Sequence, residues 1–248
     1  MKGFRQHPFR VSFRLLWFGL EVVVSLFDFL FHCVFCSKAS RRRARALWLQ
    51  RTGKRVGRVL NLQIRSLGEI PHRGLLISNH VSYVDILVLV SLAPALFVAK
   101  REVKFWPVMG LLAQLGGTVF IDRQRRTHVG EVNDDIRHAL DDGALVTVFP
   151  EGTSSDGRAV LPFRSPLLEP ATRLDQPLTV ARLQYTLADG SPDEEVAYWG
   201  DATFFPHLLN LLSRDRVQST VRFGIVSEPV RDRKALALQL HSAVSALK

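Results

Sequence analysis

Cysteine is nearly absent. Cys33 and Cys36 are the only two in 248 residues, which excludes a disulfide framework and a four-cysteine zinc site and favours a cytosol-facing location. Both sit in an apolar run with no strand–turn–helix context, so they read as small hydrophobes and not as a redox pair. No Gly-x-Ser-x-Gly nucleophile elbow occurs, which weighs against a serine lipase. Zinc-finger spacings, recognition-helix patterns and RNA-binding aromatic motifs are also missing, so nucleic acid is not an expected partner. Acidic residues are scarce: 23 against 33 basic ones, a net charge of +10. That balance favours an anionic partner such as a membrane surface or an acidic carrier protein. The chain lacks internal repeats and low-complexity linkers, and its length suits one α/β domain with an appendage.

What the chain does have, first, is a long apolar run at 15–35, enough to cross a bilayer. Arg14, Glu21 and Asp28 interrupt it at seven-residue spacing, with Ser25 and His32 beside them, so the polar residues share one helical face. A carboxylate near the bilayer centre costs about 2.5–3.5 kcal/mol on the insertion scale. The stripe therefore predicts a helix that lies partly in the interface or turns its polar face to a partner helix. The carboxylates in the run and the arginines after it argue against a cleaved signal sequence.

The partner follows at once. Lys38, Arg41, Arg42, Arg43, Arg45, Arg51, Lys54, Arg55 and Arg58 come without an intervening acid, with Leu47, Trp48 and Leu49 as anchors. This reads as a basic amphipathic helix beside an anionic membrane surface. Basic residues on both sides of the apolar run favour cytoplasmic placement of both ends, hence a monotopic or re-entrant anchor. We divide the chain into an N-terminal membrane-anchoring helical pair, 1–58, and a catalytic domain, 59–248.

From residue 60 onward, strand and helix signals alternate. Strands are predicted from 60, at 75–77, 96–99, 119–121, 144–148, 178–185 and 217–226, and helices after residue 82 and at 106–115, 127–140, 204–212 and 233–248. The 189–195 stretch reads as a polar loop. The fold class is α/β: a single domain with a mixed sheet flanked by helices.

The chain is organised around 75–90. A short buried strand runs into the polar turn Ser78-Asn79-His80, and an apolar helix follows. Four residues separate His80 from Asp85, close enough for a carboxylate one turn into the helix to bond the ring, fix its tautomer and leave the other nitrogen as a base. The same residues also fit a helix-capping box, Ser82-x-x-Asp85, with no chemistry at all.

A second block lies at Phe149-Pro150-Glu151-Gly152-Thr153, after another strand, and a third between them at Gly116 to Arg123. Together, Asn-His-x-x-x-x-Asp, the Gly-Gly-Thr-Val-Phe-Ile-Asp-Arg block and Phe-Pro-Glu-Gly-Thr resemble the glycerolipid acyltransferase family, which includes bacterial 1-acyl-sn-glycerol-3-phosphate acyltransferases. The resemblance covers roughly residues 60–230. It implies acyl transfer from a thioester, acyl-CoA or acyl carrier protein, to a lysolipid hydroxyl at a membrane, with no metal and no resident cofactor. It implies a helical-hairpin membrane anchor, as in some bacterial members; with the basic flanks of the apolar run, the expected location is the cytoplasmic face of the cell membrane.

Within that expectation His80 is the base and Asp85 its orienter. Arg123 suits an anionic head group, because its fork matches phosphate or carboxylate. The resemblance places Glu151, Gly152 and Thr153 in the acceptor site. A carboxylate repels phosphate, so Glu151 is expected to orient Arg123 or a glycerol hydroxyl. Lys100 is either a head-group or donor contact or a solvated cation. Three positions depart from the family pattern. Ser154 stands where many members have arginine, Phe163-Arg164-Ser165-Pro166 replaces Phe-Lys-x-Gly, and 180–183 lacks the usual strand proline. The Thr-Ser-Ser-Asp-Gly continuation is similar to a branch with lyso-ornithine lipid O-acyltransferases. The expected acceptor is 1-acyl-sn-glycerol-3-phosphate, with lyso-ornithine lipid as the alternative.

Overall fold

A computed structural model describes residues 7–122, 126–174 and 178–247. Helices α1 (Pro8–Cys33) and α2 (Lys38–Val59) form an N-terminal hairpin. The body follows as β1 (Leu62–Leu67), β2 (Gly74–Ser78), α3 (Val84–Leu92), β3 (Leu96–Lys100), α4 (Met109–Leu115), β4 (Val119–Ile121), α5 (Arg126–Asp141) and β5 (Leu145–Val148). It closes with β6 (Leu178–Leu187), the short α6 (Pro192–Glu195), α7 (Phe204–Ser213), β7 (Val217–Val226) and α8 (Arg233–Ala246).

The strands form one sheet in the order β1-β7-β6-β2-β5-β3-β4. Every neighbouring pair is parallel except β6 with β7, so the sheet is mixed, as the alternation of elements implied. β2 and β5 are apolar and almost wholly buried, because helices cover both faces of the sheet. On one face α2, α3 and α7 bury Trp48, Val84, Val88, Leu211 and Leu212. On the other α5 and α8 bury Ile136, Leu236 and Leu240. α3 is apolar all round and lies under α2. The two approach so closely that a Cβ on Gly53 would sit 2.4 Å from Val90 Cγ1.

The polar stripe of α1 faces protein. Asp28 accepts bonds from Arg51 (Nε 2.9 Å, Nη2 3.0 Å) and Arg55 (Nη1 2.9 Å) on α2, and Trp48 Nε1 donates to the Ser25 carbonyl at 2.7 Å. Arg14 donates to the carbonyls of Leu212 and Asp215 at 3.1 and 3.0 Å and to that of Arg214, supplying a cation and donors to the end of α7. The opposite face carries Phe9, Phe13, Leu16, Leu20, Phe27 and Phe31, all exposed. α1 is long and apolar enough to cross a membrane by length and composition. Cys33 is buried and Cys36 half-exposed, and both are free thiols.

Three local expectations shift. The stretch 189–195, expected as a polar loop, contains the short helix α6, with Pro192 at its start. Leu60 caps the C-terminus of α2 rather than starting a strand, and Asn61 takes the left-handed conformation (φ 49°) before β1 begins. The helix expected from Trp106 starts only at Met109. Pro107 holds Trp106 extended (φ −69°, ψ 132°), leaving a separate 3₁₀ turn at Arg101–Phe105.

Candidate active site

Parallel pairing puts the site together. β2 and β5 are neighbours with Ile77 opposite Val148, so the residues after each strand emerge at the same sheet edge. β3 pairs beside β5 in the same direction and brings Lys100 to that edge. Ligands of open α/β sheets commonly sit at this carboxyl edge.

His80 leaves β2 two residues past its end. Its Nδ1 lies 2.7 Å from Asp85 Oδ2. The same oxygen accepts the backbone N–H groups of Val81 (2.7 Å) and Ser82 (3.0 Å). Asp85 thus satisfies the turn and holds the ring at once. Half of the capping-box reading survives: the carboxylate bonds the turn, but the Ser82 hydroxyl has no partner among the described residues. Asp85 is wholly buried, and the His80 side chain keeps about a fifth of its surface exposed. With Nδ1–H directed at a carboxylate, the tautomer inferred for the neutral ring leaves Nε2 unprotonated. Phe149 stacks on the ring at 4.2 Å with 16° between planes.

Glu151 comes from the tight turn after β5, where Gly152 has a positive φ of 72° and donates to the Phe149 carbonyl at 3.1 Å. Its side chain points inward. Oε1 accepts the His80 backbone N–H at 3.2 Å, and Oε2 is buried as well. Burial, with the nearby Asp85 charge adding to it, pushes the carboxyl up to about 8, so it is protonated at neutral pH. The turn is tied to the histidine again by Ser155, whose N–H donates to the His80 carbonyl at 3.0 Å.

Around the exposed edge of His80 opens a cavity of about 290 Å³, lined among others by Lys100, Trp106, Gly152, Thr153 and Tyr198. Tyr198 is held in the wall by its N–H to the Val81 carbonyl (2.9 Å) and by the Ser154 hydroxyl, which donates to its carbonyl. Of the residues singled out in the sequence, His80, Lys100, Gly152 and Thr153 line this cavity, with Asp85 and Glu151 buried behind them. Arg123 lies outside the described residues. Two residues behind the site carried no assignment from sequence. Asn79 bonds both backbone groups of Leu183, and the Tyr185 hydroxyl donates to Asp85 Oδ1 at 2.6 Å. Asn79 had one signal, its place beside His80. Tyr185 had only its position two residues after Leu183 in a strand.

A histidine backed by a buried carboxylate, open to a partly apolar cavity, can take a proton from a hydroxyl. Comparison with known proteins says which class of protein carries it here. The family model described as Acyltransferase matches residues 61–181. A lyso-ornithine lipid O-acyltransferase of Rhizobium meliloti is 40% identical over 192 residues, 71% of this chain and 66%, just under two thirds, of that protein. A 1-acyl-sn-glycerol-3-phosphate acyltransferase of Neisseria gonorrhoeae is 31% identical over 185 residues, 74% of this chain and 72% of that protein. The crystal structure of the LPA acyltransferase PlsC from Thermotoga maritima shares the fold, with a TM-score of 0.71 over 98% of this chain and 95% of that one at 16% identity. The chain belongs to the glycerolipid acyltransferase family and is an acyltransferase of the lysophospholipid/LPA type. Its relatives and its apolar N-terminal helix support membrane association.

Proposed function

We propose that this acyltransferase esterifies the free hydroxyl of lyso-ornithine lipid, using an acyl thioester of acyl carrier protein or coenzyme A at the cytoplasmic face of the membrane. The reaction rests on the His80–Asp85 pair beside the cavity. His80 Nε2 takes the hydroxyl proton as the oxygen attacks the thioester carbonyl. The tetrahedral intermediate then expels the thiolate, which recovers the proton from the imidazolium. The thioester is already activated, so no acyl-enzyme is needed. General-base help of this kind is worth about 10²–10⁴-fold.

The choice of acceptor rests on the 40% identical relative and is supported by Ser154. Where many family members offer an arginine, this side chain is engaged with the Tyr198 carbonyl, so a dianionic phosphate loses one expected cation. The second reading, 1-acyl-sn-glycerol-3-phosphate, is favoured by the Neisseria relative. It calls on another cation, for which Lys100 at the cavity, Arg158 and Arg164 are candidates, Arg158 being already paired with Asp193.

The test is kcat/KM for both acceptors with one acyl donor, on wild type, Ser154→Arg and His80→Ala. A preference of tenfold or more for lyso-ornithine lipid, about 1.4 kcal/mol in transition-state binding, is expected, with Ser154→Arg moving it toward the phosphate acceptor. An equal or reversed preference overturns the acceptor. Near-normal turnover by folded His80→Ala overturns the base.

A further inference from the structure

Asp85 is a fully buried carboxylate with four donors, and they are unevenly shared. Oδ2 takes His80 Nδ1 and the two backbone N–H groups, whereas the donor to Oδ1 is Tyr185. A buried carboxylate oxygen without a donor is costly, and one bonded by a neutral hydroxyl is stabilised but also partly drained of charge. β6 is built to deliver this hydroxyl. Its pairing with β2 ends at Ser78 opposite Ala181, yet β6 runs on, backed by β7 as far as Leu187 opposite Val217. The overhang passes over the His80 turn. Asn79 grips it at Leu183, and the two-residue period of a strand puts Tyr185 on the same face.

We propose that Tyr185 is a positioning residue for the acyl transfer: by donating to Asp85 Oδ1 it sets both the orientation and the effective charge of the carboxylate that holds His80. This rests on His80 being the base. Tyr185 is enclosed against Asp85, and burial foremost, with the Asp85 charge beside it, keeps the phenol protonated as a donor across the working pH range. Other ionisable groups placed around His80 among the described residues are Glu151, bonded to its backbone, and Lys100, Tyr83 and Tyr198 around the cavity. Tyr83 Oη faces His207 Nδ1 at 3.0 Å rather than the pair. Ser219 sits opposite Tyr185 in the β7 register and does not titrate. Tyr185 thus differs from the others in touching the carboxylate directly.

The sign follows from the charge. Removing the hydroxyl returns electron density to the carboxylate facing the imidazole, so the ring holds its proton to higher pH and is a free base only above it. Tyr185→Phe is expected to move the acid limb of the kcat/KM–pH profile up by about half a pH unit or more, with both KM values within about twofold. Replacing Tyr185 with 3-fluorotyrosine, a stronger donor of nearly the same size, is expected to move the limb the other way. A merely structural tyrosine moves stability and leaves the limb in place, and a stationary limb, or one displaced in the same direction by both variants, overturns the proposal. If Tyr185→Phe does not fold, the fluorotyrosine protein decides alone. The His80 ring titration followed by NMR reads the same shift without turnover. A wild type inactive on both acceptors therefore sinks the proposed function and still leaves Tyr185 tested.

Discussion

Asn79 extends the sheet with its side chain: Nδ2 donates to the Leu183 carbonyl at 3.0 Å, and Oδ1 accepts the Leu183 N–H at 2.7 Å. The β2–β6 ladder stops at Ser78, so without this amide two buried backbone groups of β6 lie unpaired. The primary amide does what a further strand residue does, while its own backbone is free to turn away. That turn is what presents His80 at the sheet edge.

Asn79→Leu keeps the volume and removes both bonds. Each of the two orphaned groups costs about 1–3 kcal/mol, so a loss of roughly 2–6 kcal/mol in chemical denaturation is expected. Transfer activity is expected to fall as well, because the His80 turn loses its anchor to β6. A variant as stable as wild type contradicts this account of the strand end.

Glu151 makes stability depend on pH in a direction opposite to an ion-paired carboxylate. Its folded value is raised to about 8 from an ordinary 4.5. Between those values the native state holds a proton that the unfolded chain has lost, so this group makes folding less favourable as pH rises from 4.5 to 8, with no further change above. Glu151→Gln can still accept the His80 N–H and cannot ionise. The stability difference between variant and wild type, measured by denaturation at several pH values, is expected to grow by a few kcal/mol in favour of the variant across that window. Parallel curves show that Glu151 is ionised in the folded protein.

Legibility in the sequence tracked the separation of the partners. The alternation at 217–226 marks β7 at its observed limits, and the period of 127–140 marks α5 within a residue at either end. His80 and Asp85 are five residues apart across one turn, so local geometry constrains their contact, now seen at 2.7 Å. Tyr185 meets Asp85, and Leu183 meets Asn79, across about a hundred residues, and only the pairing of β6 beside β2 brings them together. Nothing in residues 178–187 announces that register. At Trp106 the apolar pattern misled because Pro107 governs the backbone before it. The stripe of α1 was readable as a face but not in its partners. Asp28 finds two arginines on the adjacent helix, whereas Arg14 reaches carbonyls some two hundred residues on.

The same helix gives the cleanest test of membrane association. Deleting 1–58 is a poor experiment, because Trp48, Leu49 and Val56 of α2 belong to the core, and their loss exposes the body as well as removing the anchor. The outer face of α1 is separable. Leu16, Leu20 and Phe27 lie at helical spacing, are exposed, and carry none of the contacts that tie Arg14, Ser25 and Asp28 to the protein. Leu20→Glu with Phe27→Glu is therefore expected to leave folding within about 1 kcal/mol of wild type, since exposed substitutions rarely cost more. Each carboxylate opposes insertion by about 2.5–3.5 kcal/mol at the bilayer centre and less near the interface, so the pair is expected to abolish most sedimentation with liposomes. Activity toward lysolipid in bilayers falls with it, while activity toward the same lysolipid dispersed in detergent is retained. Wild-type binding is also expected to weaken with salt and to need anionic lipid, because Arg41, Arg42 and Arg43 follow the hydrophobic face directly. A double variant that still sediments like wild type places the membrane contact elsewhere on the protein.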